Sequence, residues 1–238
     1  MLLVIPDIHA RPFWKEAVEE NIDKVDKVIM LGDYLDPYPW EEITRKDAIR
    51  NFEEIIDFKS EHKNKVILLL GNHCIPYIDK RNFYTRPRYD SSNAYHIEEM
   101  FRSHRSFFQL AYEDYINGKS YLFTHAGLVP QWYEKHKDLI GELNVDNLNH
   151  LMDSPQGIRA LCEVSCYRGG WDQFGSIVWA HIAEIDEIHE ALKKDIPWDF
   201  QIFGHTQLKE YPIIKKDYAC LDCRKAFILT DEGGFQEV

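Results

Sequence analysis

Short apolar runs, each stopped by a polar residue with a chemically useful side chain, set the rhythm of this chain. Residues 1–5, 28–31, 66–70, 121–124 and 200–203 are short, largely apolar runs, and 28–31 has the pattern of a strand buried on both faces. Helical periodicity appears between them. Phe13, Ala17, Val18 and Ile22 predict a helix over 11–21, and Phe52, Ile55 and Ile56 predict one over 45–61. Ile97, Met100, Phe101, His104, Phe107 and Phe108 recur at helical intervals, with His104 read as packed or half-exposed. Ile182, Ile185, Ile188 and Leu192 predict a helix ending before Pro197. Residues 81–93, rich in Arg, Pro, Asp, Ser and Tyr, read as a loop, and Asn117-Gly118 as a turn. Two late strands are expected at 218–221 and 226–229. Strands alternating with helices define an α/β protein.

The residues closing the runs point to one chemistry. They are Asp7-Ile8-His9, Gly32-Asp33, Gly71-Asn72-His73, His125-Ala126-Gly127 and Gly204-His205-Thr206. Asp, Asn and His are the side chains that bind borderline divalent metals. Strand carboxyl ends are where α/β sheets open a crevice for ligands. Asp7 and His9, two residues apart, point to one side of an extended segment, and Gly32 lets the backbone turn sharply before Asp33.

Taken in order, Asp7-x-His9, Gly32-Asp33-x-x-Asp36, Gly71-Asn72-His73, His125 before a small residue and Gly204-His205-Thr206 resemble the calcineurin-like metallophosphoesterases. The resemblance spans residues 7–207. The stretch Thr124-His125-Ala126-Gly127-Leu128-Val129-Pro130 is most similar to the branch holding phosphoprotein phosphatases and diadenosine tetraphosphate hydrolases. It implies an α/β fold, a two-sheet β-sandwich flanked by helices with an inserted cap region, the metals at the strand ends. It also implies two divalent ions, manganese first, with iron or zinc as alternatives. Asp7, His9 and Asp33 would hold the first; Asp33 would bridge to a second held also by Asn72, His125 and His205. A bridging hydroxide would attack phosphorus, and His73, oriented by Asp36, would protonate the leaving alkoxide. The implied reaction is hydrolysis of phosphomonoesters, phosphoserine and phosphothreonine among them. The alternatives are a dinucleoside polyphosphate hydrolase or phosphodiesterase and, in a different class, a metal-free binding scaffold.

Three positions depart from the family pattern. Pro37-Tyr38 follows Asp36 where protein phosphatases usually have Arg-Gly, so Arg11 or Arg168 is expected to take over phosphate binding. Arg168, beside Gly169-Gly170, is the preferred clamp, because an arginine fork matches two phosphate oxygens. Cys74 stands where an acidic residue commonly follows the Gly-Asn-His histidine. Gln207 stands where many phosphodiesterase relatives have a second histidine, which favours the phosphatase branch.

Composition narrows the partners. The chain has 238 residues, the length of one generous domain, without repeats or a composition break. A formal net charge of −12 argues against a long nucleic acid as the main partner. No run is long enough to span a membrane, and the apolar start stops at Pro6, too short for a signal peptide; a cytoplasmic protein is expected. Five cysteines are then expected reduced. Cys162, Cys166, Cys220 and Cys223 are spaced too loosely for an established zinc motif, so buried or indifferent thiols are the better reading. Trp132, Trp171 and Trp179 are either core or a wall of the substrate cleft.

Overall fold

The computed structural model describes residues 1–79, 88–188 and 196–238. In chain order its elements are β1 (Leu2–Ile5), α1 (Phe13–Asn21), β2 (Lys27–Met30), α2 (Arg45–Glu61), β3 (Val66–Leu69), α3 (Ile75–Ile78), α4 (Ala94–Ser103), β4 (Phe108–Gln109), β5 (Ala111–Ile116) and β6 (Lys119–Thr124). There follow α5 (Pro130–Ile140), α6 (Val145–Asn149), α7 (Pro155–Leu161), α8 (Ile182–Asp186), β7 (Phe200–Phe203), β8 (Ile213–Ile214), β9 (Tyr218–Cys220), β10 (Phe227–Leu229) and β11 (Phe235–Glu237). The chain forms two compact units, Met1–Gln109 with Arg224–Val238, and Leu110–Cys223. Each is built on one sheet with helices beside it.

The first unit carries the sheet β11-β10-β1-β2-β3-β4. Strands β1 to β4 run parallel, while β10 and β11 are antiparallel additions. Leu2, Leu3, Val4 and Ile5 are all buried, which explains why β1 shows no polar alternation. Helix α2 has the bounds its pattern predicts. Thr44 caps it, its Oγ1 accepting from the Asp47 N–H at 3.1 Å, and Asp47 places a negative charge in the first turn. The buried face of α2 holds Ala48, Phe52, Ile55 and Ile56. Phe52 stacks on Tyr34 at 5.5 Å and lies 4.8 Å from Phe101 of α4. Burying such a phenyl ring stabilises by roughly 1.5–3 kcal/mol.

The second unit carries the sheet β5-β6-β7-β9-β8. Asn117 (φ 50°) and Gly118 (φ 77°) are both left-handed, the geometry of a two-residue hairpin turn between β5 and β6. β6, β7 and β9 then run parallel.

Two readings change. The periodicity over 97–108 is not one helix: α4 ends at Ser103, where His104 Nδ1 donates to the Met100 carbonyl at 2.9 Å, and Phe108 begins β4. Past α4 the chain turns to strand, with β4 on the edge of the first sheet and β5 opening the second. Helix α8 ends at Asp186 rather than continuing through Ile188; Leu192 and most of the predicted 81–93 loop lie outside the described residues.

Candidate functional site

In the first unit, the loops leaving β1 and β2 run side by side beyond the strands. Ile8, His9 and Ala10 donate backbone bonds to the Gly32, Asp33 and Tyr34 carbonyls, at 3.4, 2.6 and 2.9 Å. His9, Asp33 and Asp36 have φ of 44°, 49° and 60°, a region that L residues rarely occupy, and Gly32, just before Asp33, sits at 116°. Strained non-glycine backbone of this kind persists where surroundings over-determine it, and it concentrates at functional sites.

The side chains there are buried: Asp7 and Asp33 are each 1% exposed, Asn72 2% and His9 3%. One ligand atom each from His9, Asp33 and His73 lies within 4.8 Å of the others. His9 Nδ1 donates to the Leu35 carbonyl at 3.0 Å, which leaves the Nε2 lone pair facing Asp33 Oδ2, 3.7 Å away. Burial pushes His9 well below the ordinary histidine range, more than the Asp33 carboxylate raises it, so the ring is neutral and able to ligate. Asp33 Oδ1 also accepts the His73 N–H at 2.9 Å, tying the end of β2 to the end of β3.

His73 Nδ1 lies 2.9 Å from Asp36 Oδ2, and the Tyr77 hydroxyl donates to Asp36 Oδ1 at 2.6 Å. Burial raises Asp36 above the usual carboxylate value, opposed by the bonds from His73 and Tyr77. Cys74 is buried, and desolvation with the nearby Asp33 charge raises its thiol, so it stays a neutral thiol; the Gly71 N–H points at its sulfur, 3.4 Å away.

In the second unit, β6 and β7 end in His125 and His205, whose Nε2 and Nδ1 are 3.1 Å apart. His205 is also left-handed, at φ 61°. The loop after His125 is clamped on several sides. The Leu128 N–H donates to Gln201 Oε1 at 2.8 Å, Gly127 N–H to Thr124 Oγ1 at 3.0 Å, and Ala126 N–H to the Ile177 carbonyl at 2.9 Å. Gly127 (φ 91°) holds a backbone conformation that L residues rarely adopt, and a Cβ there would press on the Ile185 and Phe203 side chains at 3.0 and 3.2 Å. Trp179 presents an edge contact to His205 at 5.5 Å.

The predicted arginines have different surroundings. Arg11 is nearly buried; its Nε donates to Glu41 Oε1 at 2.7 Å and one terminal nitrogen to the Asp7 carbonyl at 3.2 Å. Arg168 is exposed, and its guanidinium reaches the His205 carbonyl at 3.4 Å. Trp132 and Trp179 are buried, whereas Trp171 is fully exposed. Among the described residues, no group of potential metal ligands includes a cysteine, and none of the five cysteines is in a disulfide.

The sequence reading missed Arg88, Tyr38 and Tyr77. Arg88 Nε donates to the Asp36 carbonyl at 3.0 Å, a terminal nitrogen lies 3.1 Å from His73 Nε2, and its guanidinium carbon sits 3.8 Å from the centre of the Tyr38 ring. Only Pro37-Tyr38 in place of Arg-Gly hinted that an arginine from elsewhere was needed.

Buried carboxylates and imidazoles, without thiolates, suit divalent metals of the manganese, iron or zinc kind. A family model for calcineurin-like phosphoesterases matches residues 1–208, through every one of the motif residues. The chain belongs to that family. It is therefore a metal-dependent phosphoesterase, and its family uses two divalent ions. Among curated proteins, none matches this sequence closely enough to count as a relative. Solved structures do share the phosphoesterase fold. A cold-active protein-tyrosine phosphatase of a psychrophilic Shewanella aligns with a TM-score of 0.62 at 14% identity, covering 99% of this chain and 79% of that one. A protein serine/threonine phosphatase from Saccharomyces cerevisiae aligns with a TM-score of 0.51 at 13% identity, covering 95% and 71%. No described helix of this phosphoesterase is long and apolar enough to cross a membrane.

Proposed function

We propose that this phosphoesterase hydrolyses phosphomonoesters, phosphoproteins among them, using two divalent ions with manganese as the preferred metal. The observation that carries this reading is the buried His9–Asp33–His73 cluster with Asp36 bonded behind His73. Metal-ligand chemistry and a proton-transfer pair lie side by side within one unit. The two solved structures described above are named as protein phosphatases, which favours a phosphomonoester over a diester. Gln207 in place of a second histidine after Gly204-His205 favours the same choice.

Asp7, His9, Asp33 and Asn72 are assigned as metal ligands of the first unit, and His125 and His205 as metal ligands of the second. Bound there, the ions supply charge neutralisation for the phosphoryl group and acidify the attacking water. The chain's own residues do the rest. The Leu35 carbonyl fixes the His9 tautomer so that Nε2 remains a ligand. Asp36 holds His73 with a proton on Nδ1 and stabilises the imidazolium, so that Nε2–H is free to protonate the ester oxygen as its bond to phosphorus breaks. Arg168 is retained as a phosphate contact. Arg11, held by Glu41 and the Asp7 carbonyl, is read as a brace for the Asp7 loop.

The test is a substrate panel with added manganese: aryl and alkyl phosphomonoesters, a phosphopeptide, a phosphodiester and a diadenosine polyphosphate. The reading expects turnover of the monoesters to exceed the others by at least about tenfold, a difference of about 1.4 kcal/mol in transition-state binding. A diester or the diadenosine compound as best substrate contradicts it.

A further inference from the structure

Arg88 is held in a way that suits a ligand and not an ion pair. Among the described residues, no carboxylate pairs with it. Its partners are the Asp36 carbonyl at 3.0 Å, the Tyr38 ring at 3.8 Å and the imidazole nitrogen His73 Nε2 at 3.1 Å. A second imidazole, His9, lies 3.4 Å from the same terminal nitrogen. A guanidinium carries five N–H groups, and an imidazole nitrogen does not balance its charge as a carboxylate would. The position is also prepared in advance. Arg88 has a left-handed φ of 57°, Tyr89 stacks on Tyr77 at 4.5 Å, and the Asp90 N–H donates to the Tyr77 hydroxyl at 2.8 Å. Tyr77 is the residue that holds Asp36, so one phenol fixes both the carboxylate behind His73 and the segment presenting Arg88.

We propose that Arg88 clamps the substrate phosphate, with Tyr38 as the platform that aims it. The proposal rests on His73 being the proton donor. His73 Nε2 is then the atom that meets the leaving oxygen, and a donor 3.1 Å from that atom faces the non-bridging oxygens of the same phosphoryl group. In the step itself a water oxygen forms a bond to phosphorus, giving up a proton to solvent, as the bond from phosphorus to the ester oxygen breaks and the His73 Nε2 proton passes to that ester oxygen. Arg88 changes no bond; it moves its terminal N–H groups from the imidazole to phosphate oxygens. The stacked planar fork cannot be reproduced by lysine.

The experiment measures binding of inorganic phosphate by calorimetry on manganese-loaded protein, together with metal content and steady-state rates on nitrophenyl and alkyl phosphates. Arg88→Ala is expected to bind phosphate about 10–100-fold more weakly, the size of lost charge-assisted hydrogen bonds, with metal content unchanged. Arg88→Gln keeps a donor for the Asp36 carbonyl and is expected to show the same loss, which separates clamping from loop support. Arg88→Lys recovers only part of the affinity. Tyr38→Ala weakens phosphate binding less, and its effect largely disappears in the Arg88→Ala background. Phosphate affinity within twofold of the parent in Arg88→Gln overturns the proposal, even where rates on alkyl phosphates fall, because that pattern belongs to a brace for His73. A parent that turns over no phosphoester fails the phosphoesterase reading, and the clamp with it; a failure seen only among the variants removes the clamp alone.

Discussion

Asp36 Oδ2 lies 2.9 Å from His73 Nδ1, and the pair is buried, with Asp36 4% and His73 5% exposed. Tyr77 occupies the other carboxylate oxygen. With both oxygens engaged, the imidazole has one allowed orientation and its Nε2 edge is fixed. Asp36→Asn keeps the shape but no longer stabilises an imidazolium. We expect kcat to fall by about 10²–10⁴-fold on alkyl phosphates, the range of lost general acid catalysis, with metal content unchanged. Elemental analysis beside the kinetics checks both halves.

His73→Asn is expected to separate substrates by their leaving groups. A nitrophenolate leaves with little protonation, so its hydrolysis should lose far less than that of an alkyl phosphate, whose alkoxide leaves poorly. An equal loss on the two substrates, or loss of metal from the variant, removes His73 from the role of acid.

His181 makes stability depend on pH away from the metal ligands. It caps α8, its Nδ1 accepting from the Ala183 N–H at 3.1 Å, which only an unprotonated nitrogen can do. Burial and the Arg168 charge lower its folded pKa below 6.5. The unfolded chain therefore takes up the proton first as pH falls. The cap's contribution is complete above pH 6.5 and is lost as pH drops through the folded value. Melting temperature should fall between pH 7 and 5, and His181→Asn, which caps without titrating, should flatten that slope. An identical slope in parent and variant contradicts the assignment.

The strand-end motifs were legible because buried parallel strands are written as largely apolar runs, and each metal-type residue lies within four residues of the end of one. Helix α2 was legible because the Phe52–Ile55–Ile56 stripe marks it locally. Strand β5 was not: Ala-Tyr-Glu-Asp-Tyr-Ile at a sheet edge is half polar and carries no continuous run. Phe107 and Phe108 extended the apparent period of α4 because local spacing cannot report that Phe108 pairs with Leu68 of β3. Arg88 escaped for the same reason. Its meaning comes from Tyr38 and His73, distant in sequence, and a loop composition gives no register.

The central claim is that buried Asp and His side chains bind the ions on which hydrolysis depends. Elemental analysis and phosphatase activity, followed together through chelation and manganese titration of the parent and of Asp33→Asn, test it most directly. The parent should bind about two ions, a two-metal site of the kind that clamps a phosphoryl group, lose activity to background on chelation and regain it with manganese. Asp33→Asn should lose metal and activity together. Full activity in a parent shown to be free of metal would contradict the account.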